Sequence, residues 1–136
     1  MIFEELGIDA DYKLLELPAE ALKTAVPELA QSYTGVNVTI PHKIEVMSFL
    51  DSISAEAAAI GAVNTISFSN GKSCGYNTDW LGFGMMLEYY GIKAEGKKAA
   101  VLGIGGASRA VCSTLQKQAK EILLVSRIRR QFRSRL

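Results

Sequence analysis

Four short stretches of the chain hold side chains whose types and spacing could do chemistry. The first is Val36-Asn37-Val38-Thr39-Ile40-Pro41-His42-Lys43. Its alternating, β-branched start predicts a strand over Val36–Ile40, which places Asn37 and Thr39 two residues apart on one face. Both can bond a hydroxyl. Pro41 suits the first position of a following helix, predicted over about 42–50, with Lys43 in its first turn. The positive end of a helix dipole disfavours an ammonium there, which suits a lysine that gives and takes a proton. The plainer reading is a solvated lysine beside a helix start, and a polar run inside an otherwise core-like strand counts against it. His42, the single histidine, reads as positional.

Asn64, in Gly61-Ala62-Val63-Asn64-Thr65, opens an apolar strand, as a turn amide or as a ligand for a polar group. Asp79, in Gly75-Tyr76-Asn77-Thr78-Asp79-Trp80-Leu81-Gly82, stands at a helix start. It can cap that helix, and a second carboxylate oxygen can face a cleft and hold a lysine. The fourth stretch is Val101-Leu102-Gly103-Ile104-Gly105-Gly106-Ala107-Ser108-Arg109. Glycines between a strand and a helix let backbone N–H groups approach a pyrophosphate. Ser108 stands where a G-x-G-x-x-G turn has its third glycine. The next strand ends in Ser126-Arg127, where an arginine suits a ribose 2′-phosphate, unless it merely begins the basic tail.

The elements that must position these residues follow from pattern and punctuation. IFEELGI reads as the last turns of a helix ending at Gly7, as though something upstream is missing. Tyr12–Leu17 is a strand candidate, and Pro18 opens a helix carrying Leu22, Val26 and Leu29. Ile44, Met47 and Phe49–Leu50 are core candidates of the segment after Pro41. Ser54 caps a helix over Ala55–Ile60 that Gly61 ends. Val63–Ser67 and Lys72–Tyr76 flank the hairpin signal Asn70-Gly71. A helix over about 79–90 carries Met85-Met86 and Tyr89-Tyr90, which read as core or interdomain packing. Lys98–Leu102, the glycine turn, a helix over Arg109–Gln118 and a strand over Glu121–Ser126 make one βαβ unit.

Composition sets the outer bounds. Nearly half of the 136 residues are hydrophobic and 21% are charged, a globular balance. Two cysteines, Cys74 and Cys112, make no disulfide framework, so a cytoplasmic location is expected. Neither lies at ligand spacing to a histidine, so no metal site is expected. No apolar window is long enough to span a membrane, and the acidic start is not a signal peptide. A net charge of +1 argues for neither nucleic acid nor membrane as partner. That value hides an asymmetry: residues 1–126 carry nine lysines, Arg109 and all fourteen acids, while five arginines fall in the last ten residues. RRQFRSRL reads as a frameshift product or an aberrant end.

NVTIPHK, GAVNT, GYNTDWLG and GIGGASRA, in this order and at these spacings, resemble the shikimate dehydrogenase family. The resemblance runs from residue 1 to about 127. It implies an α/β chain: a substrate-binding α/β domain over 1–80, then a linking helix and the first βαβ unit of a Rossmann-like NADP-binding domain over 81–136. It implies NADP-dependent reduction of 3-dehydroshikimate to shikimate, with Lys43 and Asp79 as the catalytic pair. Thr39, Asn64, Asn37 and Asp79 would contact substrate. Gly103, Ile104, Gly105, Gly106 and Ala107 would form the diphosphate turn, and Ser126-Arg127 would receive the 2′-phosphate, although Ile128 departs from that motif. The family also has segments before the position of Met1 and well beyond residue 128. Weak or absent activity is therefore expected of these 136 residues alone, along with a homodimer formed through an exposed sheet edge. An NAD-using quinate/shikimate relative and a binding-only protein are the alternatives.

Overall fold

Asn70 and Gly71 both take left-handed backbone angles, φ 51° and 72°, as a two-residue hairpin turn requires. They join β3, Thr65–Ser69, to β4, Lys72–Tyr76, in the antiparallel register Ser69↔Lys72 to Thr65↔Tyr76. This hairpin is the centre of the first sheet in the computed structural model, which describes residues 2–126. β1, Gly35–Asn37, pairs antiparallel with β3, and β2, Ser52–Ile53, pairs parallel with β4, giving the order β1-β3-β4-β2.

Alternation decides what this sheet buries. Ile66 and Phe68 of β3 point into the core, while Thr65, Ser67 and Ser69 face outward. The core is closed by α2, Leu22–Ser32, through Leu22 and Val26, and by Val46, Ala57 and Val63. Helix α3, Ala55–Ile60, begins where the Ser54 hydroxyl accepts from the Ala57 N–H at 3.2 Å. It ends on Gly61 at φ 71°, a left-handed C-cap that favours glycine.

The second sheet holds β5, Lys98–Leu102, and β6, Glu121–Val125, parallel and in register from Lys98↔Glu121 to Leu102↔Val125. Helices α4, Asp79–Tyr89, and α5, Gly106–Leu115, pack against one face of it. Phe83, Leu87, Val111 and Leu115 meet Val101, Ile122 and Leu124 there. Between the two sheets, Ile60 and Ala62 bury against Ala110 of α5, with Trp80 alongside. The short helix α1, Ile2–Glu5, runs out into Gly7 at φ 63°.

Several sequence expectations are corrected. Tyr12–Leu17 forms no strand; its Leu14 and Leu17 line a groove of about 200 Å³ together with Val26, Val36 and Ile66. The strand expected over Val36–Ile40 stops at Asn37. The helix expected over 42–50 is a turn at 40–44 followed by a 3-10 helix, Glu45–Phe49. Its cause is specific: the Lys43 carbonyl accepts from the Val63 N–H at 2.7 Å, and the Met47 N–H turns instead to the Ile44 carbonyl at 3.4 Å. An α-helix would need Met47 to donate to Lys43. Ile44 is consequently exposed, and Val46 takes the core position. Met85, Met86 and Tyr89 of α4, and Tyr90 just after it, stand exposed, which overturns the core half of their reading as core or interdomain packing.

Candidate active site

Lys43 and Asp79 meet across 36 residues of chain. The lysine Nζ donates to Asp79 Oδ2 at 2.7 Å, a charge-assisted bond. The lysine side chain keeps 15% of its exposure and the aspartate side chain 33%, so the pair lies at a surface but is not freely solvated. The turn at 40–44 presents Lys43, not a helix N-terminus, so the helix-dipole argument for this lysine does not hold. An ammonium offers three N–H groups, and two remain for a bound oxygen once Asp79 has one.

Asp79 was expected to cap its helix. Thr78 holds the N-cap position instead, and Asp79 is the first residue of α4. Both carboxylate oxygens face the network: Oδ2 takes Lys43, and Oδ1 accepts from Asn64 Nδ2 at 2.8 Å. The Asp79 backbone N–H donates to Asn77 Oδ1 at 3.0 Å, and Asn77 Nδ2 donates to the Ala62 carbonyl at 2.9 Å. Buried Asn77 thus ties the start of α4 to the segment before β3. Sequence reasoning gave it no role, though its position two residues before a helix-starting aspartate was the available signal.

Asn64 is buried and fully bonded. Its amide nitrogen reaches Thr78 Oγ1 at 2.9 Å as well as Asp79, and its Oδ1 accepts from the Thr78 N–H at 2.9 Å and the Thr65 hydroxyl at 3.0 Å. Its backbone bridges Tyr76 and Val38. A further hydroxyl can reach this side chain only by displacing Thr65, Thr78 or Asp79. The Val38–Asn64 bond brings Asn37 and Thr39, both exposed, to either side of the Asn64 position. Asn37 Oδ1 accepts from the Tyr12 hydroxyl at 3.3 Å. His42 is positional, as expected: Nε2–H donates to the Leu17 carbonyl at 2.8 Å and ties down residues 12–17.

The glycine turn leaves β5 at Gly103, with φ 117°, and enters α5 at Gly106 rather than at Arg109. The Gly105 carbonyl accepts from the Arg109 N–H at 3.2 Å and the Ser108 hydroxyl at 2.8 Å, which starts the helix three residues early. A Cβ at Gly103 or Gly105 would meet nothing within 4 Å, so the turn is an open cradle at a helix N-terminus. Ile104, Gly105 and Ala107 are exposed around it. That shape and its backbone donors fit a diphosphate. Ser126 directly follows β6. Arg127 and the rest of the basic tail lie outside the described residues.

A polar Lys–Asp–Asn network on one α/β sheet, set against a strand–glycine turn–helix unit, defines a two-part α/β protein whose Lys43–Asp79 pair adjoins the glycine turn. Residues 1–66 match the shikimate dehydrogenase substrate binding domain. The chain is 48% identical over 130 residues to a shikimate dehydrogenase (NADP(+)) of Clostridium perfringens, covering 94% of this chain and 48% of that one. It superposes on shikimate dehydrogenase 1 of Peptoclostridium difficile with a TM-score of 0.90 at 37% identity, over 94% of this chain and 49% of that one. The shikimate 5-dehydrogenase of Thermus thermophilus, solved with NADP(H) and shikimate, gives 0.83 at 38% identity, over 93% and 48%. The chain is thus similar to shikimate dehydrogenases over nearly all of its length, and it spans about half the length of the curated relatives it matches.

Proposed function

We propose that this chain supplies the substrate side and the first part of the cofactor side of an NADP-dependent oxidoreductase interconverting 3-dehydroshikimate and shikimate. The observation that carries the reading is the 2.7 Å Lys43–Asp79 bond, anchored by Asn64 and adjoining the glycine turn. The names of the relatives support the substrate and the cofactor. Residues 1–80 form the substrate part, and residues 81–136 the linking helix and the NADP part.

In this reading the substrate's ketone or alcohol oxygen sits on the Lys43 ammonium. In the reducing direction Lys43 gives that oxygen a proton as the ketone becomes an alcohol; in the oxidising direction it takes the proton back. Asp79 holds the ammonium in place. Asn37, Thr39, Asn64 and Asp79 contact the remaining hydroxyls, Asn64 after exchanging one of its present partners. Gly103, Ile104, Gly105, Gly106 and Ala107 hold the diphosphate, and Ser126 and Arg127 the 2′-phosphate. Bound NADP(H) supplies or accepts the hydride. A second copy associates along an open edge of the β5–β6 pair.

Shikimate oxidation with NADP+ tests the assignment. Turnover by these 136 residues is expected to be weak or absent, and any that is measured falls about 10²- to 10⁴-fold in Lys43→Ala, the range for loss of a positioned proton-transfer group. Turnover unchanged in that variant would remove Lys43 from the chemistry.

A further inference from the structure

Gly106 has no neighbour in the nucleotide turn that demands a glycine. Its φ is not in the left-handed region, unlike that of Gly103. What it meets lies across the boundary between the two sheets. A Cβ built on Gly106 would stand 2.9 Å from Lys43 Cβ, 3.1 Å from Lys43 Cδ and 3.4 Å from Ala62 Cβ. The first contact is with the root of the lysine side chain, beside the backbone, where a rotamer change gives no relief.

Neither partner is free to retreat. The Lys43 carbonyl is bonded to the Val63 N–H at 2.7 Å, and the ammonium is bonded to Asp79. Helix α5 is seated by small side chains and polar contacts: Ala110 is fully buried against Ile60 and Ala62. Thr114 Oγ1 donates to the Trp80 carbonyl at 2.7 Å, and the Arg109 guanidinium reaches the Gly61 carbonyl at 3.4 Å. Close packing around a missing side chain, between two anchored elements, fixes a position as firmly as a bond does.

We propose that Gly106 is a positioning residue for Lys43: the bare surface at the start of α5 on which the lysine stem rests, aligning the ammonium with Asp79. The proposal rests on the reading of Lys43 and Asp79 as the proton-handling pair, and deepens it. It makes the turn that would hold a diphosphate and the lysine that would hold the substrate oxygen two sides of one contact.

The test uses the full chain and needs no turnover, so its failure is distinct from failure of the catalytic reading. The Lys43 side-chain NMR signal, assigned with Lys43→Arg, is compared among the parent, Gly106→Ala and Gly105→Ala. Gly106→Ala moves it; Gly105→Ala, whose new Cβ meets nothing, does not. A double-mutant cycle gives the second readout. Gly106→Ala shifts the folding equilibrium by about 5- to 100-fold against the native state, the range for overpacking. In a Lys43→Gly background, which removes the opposing Cβ and Cδ, that effect disappears. Should Gly106→Ala alone fail to fold, a folded Lys43→Gly/Gly106→Ala double variant supports the proposal. An unmoved Lys43 signal, an equal effect in both backgrounds, or a double variant that also fails to fold overturns it.

Discussion

Lys43 is held at three levels: its carbonyl by Val63, its stem by the bare surface of Gly106, and its ammonium by Asp79. Asp79 is held in turn by Asn64 and Asn77. Asn64 is the hub, since its side chain satisfies Thr65, Thr78 and Asp79 together. Truncating it to alanine strands the Thr78 N–H and one Asp79 oxygen, and is expected to cost about 1–3 kcal/mol of stability. Urea denaturation of Asn64→Ala checks this; a midpoint equal to the parent's would mean the network relaxes without it. At this scale much was legible in the sequence. Lys43, Asn64 and Asp79 stand out as polar residues at the edges of apolar elements. The long-range contacts of Asn77 and Gly106 were not legible, because what they touch, the Ala62 carbonyl and the Lys43 stem, is fixed only by tertiary packing.

Elements defined by local rules matched expectation. The Asn70-Gly71 hairpin, the Ser54 cap and the Gly61 C-cap each depend on a few adjacent residues. Elements that depend on distant partners did not. Lys43 lost its helix because Val63, twenty residues on, takes its carbonyl, and the 12–17 segment lacks a paired neighbour. The two-residue β2 was not foreseen either, since a clamp from β4 holds it. Asp51 Oδ2 accepts from the Ser73 N–H at 2.8 Å and the Ser73 hydroxyl at 2.7 Å, and Ser52 bonds the Ser73 carbonyl. The bonds from the Ser73 backbone and hydroxyl hold the Asp51 carboxyl below the usual range. A depressed folded-state value stabilises the fold above the ordinary carboxylate range and is lost as pH falls through the folded value. Thermal denaturation through the acid range should therefore show a shallower loss of stability for Asp51→Asn than for the parent. Identical acid limbs would mean that the clamp contributes nothing through ionisation.

At the scale of the whole molecule, the two sheets are unequally covered. The first is closed by α2 and α3 over a continuous core. The second, among the described residues, has two strands and one covered face; Leu102, Leu123 and Val125 are exposed on the other. An apolar face beside open strand edges favours pairing with another chain. Sedimentation should show mass rising with concentration for the parent, and a monomer for Leu102→Lys/Leu123→Lys. A parent that remains monomeric throughout would contradict the proposed association. The α/β class was legible in the sequence because each half carries its own period; the degree of cover was not, since it depends on what packs on the outer face.

We propose that one chain carries a shikimate site at Lys43–Asp79 and a nucleotide cradle at Gly103–Ala107. Backbone and side-chain NMR during separate titrations with shikimate and NADP+ tests it most directly. Shikimate is expected to move the signals of Lys43, Asn64 and Asp79, NADP+ those of Gly103–Ala107, and Lys43→Ala to abolish the first response while sparing the second. Saturating shikimate that leaves Lys43 and Asp79 unmoved would contradict it.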